Sequence, residues 1–384
     1  MTTKAPVPSF KKAAELIAGS GPLPFQVTDT LIAIVQYYLD EKDAQFIAET
    51  FEEQRSLSLD QVKEKTGFSE TQILEITTRI AQKGLLFNQP NSRGIMVFRL
   101  LPLVIVGAFE YTFMKEDIQD TADYEYIAGL YKKLLEELKG NIQGGYDALL
   151  PFFELQPPTD RTIPVYETGT GKTITISVNQ AVEGNEVIVP AQTVEAIIDK
   201  FDDIAVGHCF CRNYNKVLGH SCEQNAPSEV CFSFGKSARY TISQGFARPV
   251  SKKETLDLMK QAEMAGLVHK AFHNGSDISK VENSICNCCK DCCDTFVLWR
   301  NGTIPMVNAT NFLSVIDVDT CIGCGECVER CPVDCISLED DGKAVREKDY
   351  CIGCGVCARF CPENTICLSE GQRTVYVPPP RLRV

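Results

Sequence analysis

The sequence predicts an α+β multidomain protein with a helical N-terminal domain, a central β-hairpin and cysteine-rich α+β region, and a C-terminal domain built on a repeat. Three observations predict it. All 19 cysteines lie between Cys209 and Cys367, so the chain changes chemistry at about residue 206. Before about residue 140, apolar side chains recur at helical spacing behind two capping boxes. Near the C-terminus a four-cysteine motif recurs after 30 residues. The expected boundaries are therefore 1–140, 141–205, 206–310 and 311–384.

The chain has 384 residues, 44% hydrophobic and 23% charged, an ordinary globular composition able to bury several cores. A formal net charge of −13 argues against a general binder of nucleic acid or anionic membrane, since both require clustered Lys and Arg. The most apolar window, residues 95–114, is interrupted by Arg99, Pro102, Gly107 and Glu110, so it reads as a buried segment or partner interface rather than a membrane span. "MTTKAPVPSFKKAAELIAG" lacks the continuous apolar stretch of a secretory signal and reads as a polar lead-in to a helix. A cytoplasmic location is expected.

Residues 31–51 mix apolar and charged side chains at helical spacing. Ser58-Leu-Asp-Gln61 is a capping box opening a short helix that ends near Gly67, and Ser69-Glu-Thr-Gln72 opens a second helix with Ile73, Ile76 and Ile80 on one face. Gly84 closes it, and "LLFNQPNSRGIMVF" reads as strand, turn, strand. Over residues 28–100 this order resembles a winged-helix domain. Such domains often bind DNA, but residues 1–140 hold 15 Lys+Arg against 20 Asp+Glu. Glu70, Glu75, Arg79 and Lys83 on the candidate recognition helix cancel, so the charge points to a protein-docking domain or a pure scaffold and no nucleic-acid partner.

Residues 123–138 follow as an amphipathic helix with a stripe of Leu130, Leu134, Leu135 and Leu138. A Pro-rich connection leads to "IPVYETGTGKTITISVN". A phosphate-binding loop here would need glycine at position 166, which is Tyr166, so the β-branched runs on either side of the glycines read as a hairpin. Residues 188–202 begin as a strand and turn helical. "SKKETLDLMKQAEMAGLVHKAFHN" reads as a helix ending at Gly266 and a short strand. The tail "VYVPPPRLRV" reads as extended, resting on a neighbour or free.

In the repeat, Cys321-Ile-Gly-Cys324-Gly-Glu-Cys327-Val-Glu-Arg-Cys331-Pro332 returns as Cys351-Ile-Gly-Cys354-Gly-Val-Cys357-Ala-Arg-Phe-Cys361-Pro362. Residues 316–368 resemble the bacterial two-cluster ferredoxin domain, with all eight cysteines and both prolines in place. The resemblance implies that Cys321, Cys324, Cys327 and Cys361 hold one [4Fe–4S] cluster and that Cys351, Cys354, Cys357 and Cys331 hold the other. It also implies a one-electron relay. Cys335 and Cys367, just beyond, read as core thiols.

Nine cysteines remain: Cys209, Cys211, Cys222 and Cys231, then Cys286, Cys288, Cys289, Cys292 and Cys293 in "ICNCCKDCCD". Crowding in a chain without an export signal points to metal rather than disulfides. One or two further [4Fe–4S] clusters, a zinc site using Cys289-x-x-Cys292, and unmetallated thiols all fit. Cys209, Cys211, Cys222 and Cys231 form one conceivable set, with four of the later five as another, and a set mixing the two groups fits equally. Vicinal cysteines point in different directions, so both of a pair seldom bind one small cluster. His208, His220 and Arg212 flank these thiols. The vicinal pairs resemble heterodisulfide-reductase motifs without that family's long fixed spacings. "CFCR", "AGLVH" and "ICNCC" together are similar to cysteine-rich iron–sulfur proteins of anaerobic bacteria. The expected function is electron transfer within an oxidoreductase complex, with a redox partner protein or subunits. The alternatives are an enzyme whose 209–293 cluster binds substrate and a redox-sensing winged-helix regulator.

Overall fold

The computed structural model describes residues 8–116, 121–174, 176–177, 193–274 and 277–382. Residues 1–7, the end of the second hairpin arm at 178–179 and the strand start at 188–192 lie outside the described residues.

Three helices open the chain: α1 (Pro8–Ala18), α2 (Asp29–Tyr38) and α3 (Glu41–Thr50). Then come β1 (Ser56–Ser58), α4 (Leu59–Thr66), α5 (Glu70–Ala81), β2 (Leu86–Pro90), β3 (Met96–Leu100), α6 (Ala108–Phe113) and α7 (Thr121–Gly144). The middle of the chain forms α8 (Tyr146–Glu154), β4 (Asp160–Ile163), β5 (Ile176–Ser177), α9 (Val194–Ile198), β6 (Ile204–His208) and α10 (Phe210–Val217). Next are β7 (Glu229–Phe234), α11 (Lys236–Ser243), β8 (Arg248–Pro249), α12 (Lys252–Met264), β9 (Val268–His273), β10 (Glu282–Cys288) and α13 (Asp294–Arg300). The chain closes with β11 (Met306–Ile316), α14 (Glu326–Arg330), β12 (Ile336–Leu338), β13 (Ala344–Arg346), α15 (Val356–Phe360) and β14 (Ile366–Val377).

These elements divide into two compact units: residues 1–141, 207–220 and 239–248, and residues 142–206, 221–238 and 249–384. Residues 206–310, one segment in the sequence, therefore contribute to both.

In the first unit both capping boxes form. The Ser58 hydroxyl accepts from the Gln61 N–H at 3.4 Å while the Gln61 side chain accepts from the Ser58 N–H at 2.8 Å, and Ser69 and Gln72 do the same at 3.4 and 3.0 Å. The two strands after α5 join β1, which precedes α4, in a three-stranded sheet of order β1-β3-β2. Helix α5 buries Ile73, Thr77 and Ile80, whose spacing of four and three follows the helical repeat, which leaves Ile76 on the flank. Likewise α7 buries Ile127, Tyr131, Leu134, Leu138 and Ile142, with Leu130 and Leu135 beside the stripe rather than on it. The apolar window at 95–114 is divided between β3 and α6, and among the described residues no helix is long and apolar enough to cross a membrane.

The loop before α6 holds two β-branched residues, Ile105 and Val106, at φ +71° and +64°, a conformation such side chains rarely adopt. The buried Glu110 carboxylate stabilises it by accepting the N–H groups of Ile105 at 2.7 Å and Gly107 at 2.8 Å. Burial pushes Glu110 up to about 7, against the opposing pull of those backbone donors. The folded state then holds a proton that the unfolded chain releases at its ordinary carboxyl pKa, so this group's contribution to stability falls as pH rises from about 4.5 to about 7. Denaturant unfolding of wild type and Glu110→Gln at pH 4.5 and 7.5 should show the difference moving about 2–3 kcal/mol in favour of glutamine. A pH-independent difference would mean that Glu110 stays ionised.

The second unit is organised by a mixed sheet in the order β5-β14-β11-β4-β9-β10-β7, continued by β6 and β8. Side chains alternate across it. Ile163, Phe232, Ala271 and Ile285 pack with Ile197, Ile198 and Met259 on one face. Val268, Cys286 and Cys288 point to the other, where they join the core around the cysteine repeat. The hairpin before β5 turns at Gly171 (φ +77°), with the Thr168 N–H donating to Lys172 O and the Ile174 N–H to Tyr166 O, both at 2.7 Å.

Strands β11 and β14 are antiparallel from Met306 opposite Val377 to Ile316 opposite Ile366, with a bulge between Thr310 and Phe312. The repeat is the excursion between them. The tail is extended and rests on a neighbour: Val375–Val377 complete β14 against β11. Beyond them the Trp299 indole donates to Pro378 O at 3.1 Å and Tyr146 to Pro379 O at 2.6 Å. Arg381 forms an ion pair with Asp147 at 2.8 Å.

Candidate metal centres

Each half of the repeat makes the same local structure. A glycine-containing loop carries three cysteines into a short helix, and a turn follows the fourth cysteine. At Gly323 (φ +71°) and Gly353 (φ +63°) a Cβ would lie 2.2 Å from Gly342 O and 2.1 Å from Phe312 O, so only glycine fits. In the turns, Asp334 and Asn364 both take positive φ, and their N–H groups donate to Cys331 O and Cys361 O.

The side chains form two groups that cross the repeat. Cys321, Cys324 and Cys327 line one cavity with Cys361, and the Cys327 thiol interacts electrostatically with those of the other three. Cys351, Cys354 and Cys357 line a second cavity with Cys331. Each group brings together the four thiols that a [4Fe–4S] cluster needs, with Cys335 as a fifth thiol lining the second cavity. Burial pushes Cys327 up to about 11 and raises Cys354 and Cys357, so these thiols keep their protons unless a bound cation replaces them. The residues therefore fit the group.

The two groups differ in exposure. Cys324 is exposed and its neighbour Ile322 is 63% exposed, whereas Cys331, Cys351, Cys354 and Cys357 are all buried. Cys335 does more than pack. Its thiol lies 3.6 Å from that of Cys331, and its hydrogen bond is the main cause holding Cys351 down to about 5. Cys367 is half-buried on β14 opposite Val315.

The remaining nine cysteines separate by position. Cys209 and Cys211 belong to the first unit and Cys222, Cys231 and the later five to the second. Cys222 has Cys289 and Asp291 as hydrogen-bond partners. At the start of α10, a hydrogen bond from Cys211 holds Cys209 down to about 6, with burial opposing and Arg212 assisting. None of the nineteen cysteines is in a disulfide.

Strand phase sorts the others. Cys286 and Cys288 are two apart on β10 and share a face, and Cys231 on β7 is the direct cross-strand partner of Cys286. Cys293, just after the strand, hydrogen-bonds with Cys288. Cys231, Cys286, Cys288 and Cys293 thus collect on the face toward the repeat. Cys289 and Cys292 turn the other way, to Cys222 and Asp291, and these four donor groups lie within 4.8 Å of one another.

Sequence reasoning missed the buried Lys270. It stands directly across from Cys286 on β9, beside the thiols of Cys288 and Cys293, and is paired with buried Asp160 at 2.7 Å. Burial disfavours its charge, but Asp160 and the two thiols outweigh that and hold its pKa above the ordinary lysine value. The alternation of "LVHKAFH" gave a strand without marking which face would be buried. Asp291 was visible only as a polar residue between Cys289 and Cys292. Lys290 ties this loop to the repeat, forming an ion pair with Asp334 at 2.8 Å and donating to Glu329 O at 2.9 Å.

Residues 314–368 match the 4Fe-4S dicluster domain family, and this segment is a ferredoxin-type 4Fe-4S domain. Over 29 residues the chain is 59% identical to a protein named "Probable ferredoxin" from Methanosarcina thermophila, a match covering 8% of this chain and 50% of that protein. Over 31 residues it is 58% identical to "Ferredoxin-2" from Desulfomicrobium norvegicum, covering 8% of this chain and 51% of the relative. The chain spans about half the length of the curated relatives it matches. No solved structure matches it.

Proposed function

We propose that this chain is an iron–sulfur electron-transfer protein, a subunit or partner of an anaerobic oxidoreductase complex that relays single electrons. The observation that carries this reading is the pair of four-thiol groups in a ferredoxin-type domain, one reaching the surface at Cys324 and the other enclosed. Cys321, Cys324, Cys327 and Cys361 would hold one [4Fe–4S] cluster, and Cys351, Cys354, Cys357 and Cys331 the second. Cys231, Cys286, Cys288 and Cys293 would hold a third. Bound in these groups, each cluster would supply a low-potential, one-electron carrier.

The chain's own residues shape that chemistry. Exposed Ile322, with Val318 at 45% exposure, offers a redox partner an apolar contact beside the outer group. Burial excludes water from the inner group. The Lys270 ammonium places positive charge beside Cys288 and Cys293, which favours the reduced, more negative state of whatever those thiolates bind. In the first unit, the order of helices, capping boxes and three-stranded sheet supports a winged-helix docking domain. Arg79 is paired there with Asp43, and Lys63 with Glu70, so the surface around α5 supplies little charge for phosphates.

Iron and acid-labile sulfide in anaerobically purified protein should each come to about twelve per chain, with reducible centres visible by low-temperature paramagnetic resonance. A count of about eight of each would remove the third cluster. Absence of any reducible centre would sink the relay.

A further inference from the structure

The thiols on the other side of "ICNCCKDCCD" face a different kind of space. We infer that Cys222, Cys289, Cys292 and Asp291 form a closed tetrahedral site for a single zinc ion, distinct in kind from the cluster sites. This inference does not depend on the electron-transfer reading.

The spacing carries it. Four ligands on one tetrahedral zinc, with bonds of about 2.3 Å to sulfur and about 2.0–2.2 Å to oxygen, stand about 3.5–3.8 Å apart. Cys222 Sγ lies 3.7 Å from Asp291 Oδ1 and Cys292 Sγ lies 3.1 Å from Asp291 Oδ2. Cys289 hydrogen-bonds with both Cys222 and Cys292, and all four donors fall within 4.8 Å of one another. Among the described residues no other group of three or more cysteine, histidine or carboxylate donors converges so closely. The ferredoxin cysteines do not, as expected of ligands that each bind a different iron of one cluster. The second unit thus holds both kinds of site.

Ligand chemistry agrees. Three thiolates and a carboxylate in tetrahedral array suit zinc, while a harder ion would want more oxygen. Cys289 and Cys292 are buried, and the loops are held together by bonds that do not involve the sulfurs. The Glu223 N–H donates to Asp291 at 2.7 Å. The Lys290 N–H donates to the Gln224 side chain at 2.8 Å, and Gln224 in turn donates to Ala265 O at 3.2 Å. Arg300 donates to Lys290 O at 2.6 Å. An ion here would pin the 221–228 loop to the 289–292 loop, directly behind Cys288 and Cys293.

The test is metal analysis of the full chain, purified anaerobically and dialysed against a chelator, as wild type and as Cys289→Ser, Asp291→Asn and Cys286→Ser. Wild type should retain about one zinc per chain. Cys289→Ser should lose it with iron and sulfide unchanged, and the paramagnetic signals of the ferredoxin segment report that the variant is folded. Asp291→Asn, a milder change on a half-buried residue, should weaken zinc retention at least about tenfold in chelator competition. Cobalt in place of zinc should give the intense visible bands of tetrahedral thiolate coordination, lost in Cys289→Ser. Cys286→Ser, outside the four donors, should leave zinc in place, and loss of zinc there would overturn the assignment of the ligands. A fall of about four iron and four sulfide in Cys289→Ser would overturn the inference in favour of another cluster. Absence of both zinc and cobalt bands from wild type would overturn it outright.

Discussion

Cys324→Ser should cost the protein at least about tenfold, up to about 100-fold, in the rate at which it passes electrons to an external acceptor. Cys324 is exposed, so serine there neither opens a cavity nor buries an unpaired hydroxyl. What it removes is one of the four thiolates proposed to hold the outer cluster, at the point where the domain meets solvent. Low-temperature paramagnetic resonance should show one centre lost or altered while the centre proposed at Cys331, Cys351, Cys354 and Cys357 persists, because those four are untouched. Stopped-flow reduction of an acceptor protein measures the rate. An unchanged rate in the presence of a lost centre would mean that electrons leave by another surface.

Lys270→Met should destabilise the second unit by about 3–5 kcal/mol at neutral pH. The side chain lies among β9, Asp160 and Phe296, with its ammonium 5.3 Å from the Phe296 ring centre, and methionine nearly fills the same volume. Packing is therefore almost conserved. The cost comes from leaving the Asp160 carboxylate buried, with only the Asn308 amide to donate to it. Two comparisons separate this cause from a packing defect. The deficit should shrink as pH falls through the carboxyl range and Asp160 takes a proton. The double variant Lys270→Met/Asp160→Asn should recover most of the loss. Urea unfolding of the three proteins decides it, and a single-variant loss below about 1 kcal/mol would mean that water reaches Asp160.

The repeat was legible because its spacing is itself cluster geometry: cysteines three apart on a glycine loop can only wrap around something small. The capping boxes were legible because both partners lie within one turn of chain. The nine-cysteine field was not. Whether Cys288 or Cys289 faces the repeat depends on the phase of β10, and that phase is set by pairing with β7 and β9, tens of residues away. Asp291 gave no signal of its own until its loop met Cys222. In α7 the sequence offered four leucines, yet Ile127 and Tyr131 took the buried face, because the partners of that face come from α2 and α6. Nor could the two units be read in order, since the chain crosses between them several times.

The placement of the repeat has a consequence for biosynthesis. Strands β11 and β14 flank it, and they are also inner strands of the sheet, with β4 parallel to β11 and β5 parallel to β14. Translation delivers β4 and β5 first; β4 finds its partners in β9 and β11, whereas β5 waits unpaired until the ribosome has made the residues after 366. Sheet closure and completion of the cysteine loops therefore become one late event. Iron and sulfide delivery must follow release of nearly the whole chain, and a nascent chain stalled before residue 366 would expose the edges that invite aggregation.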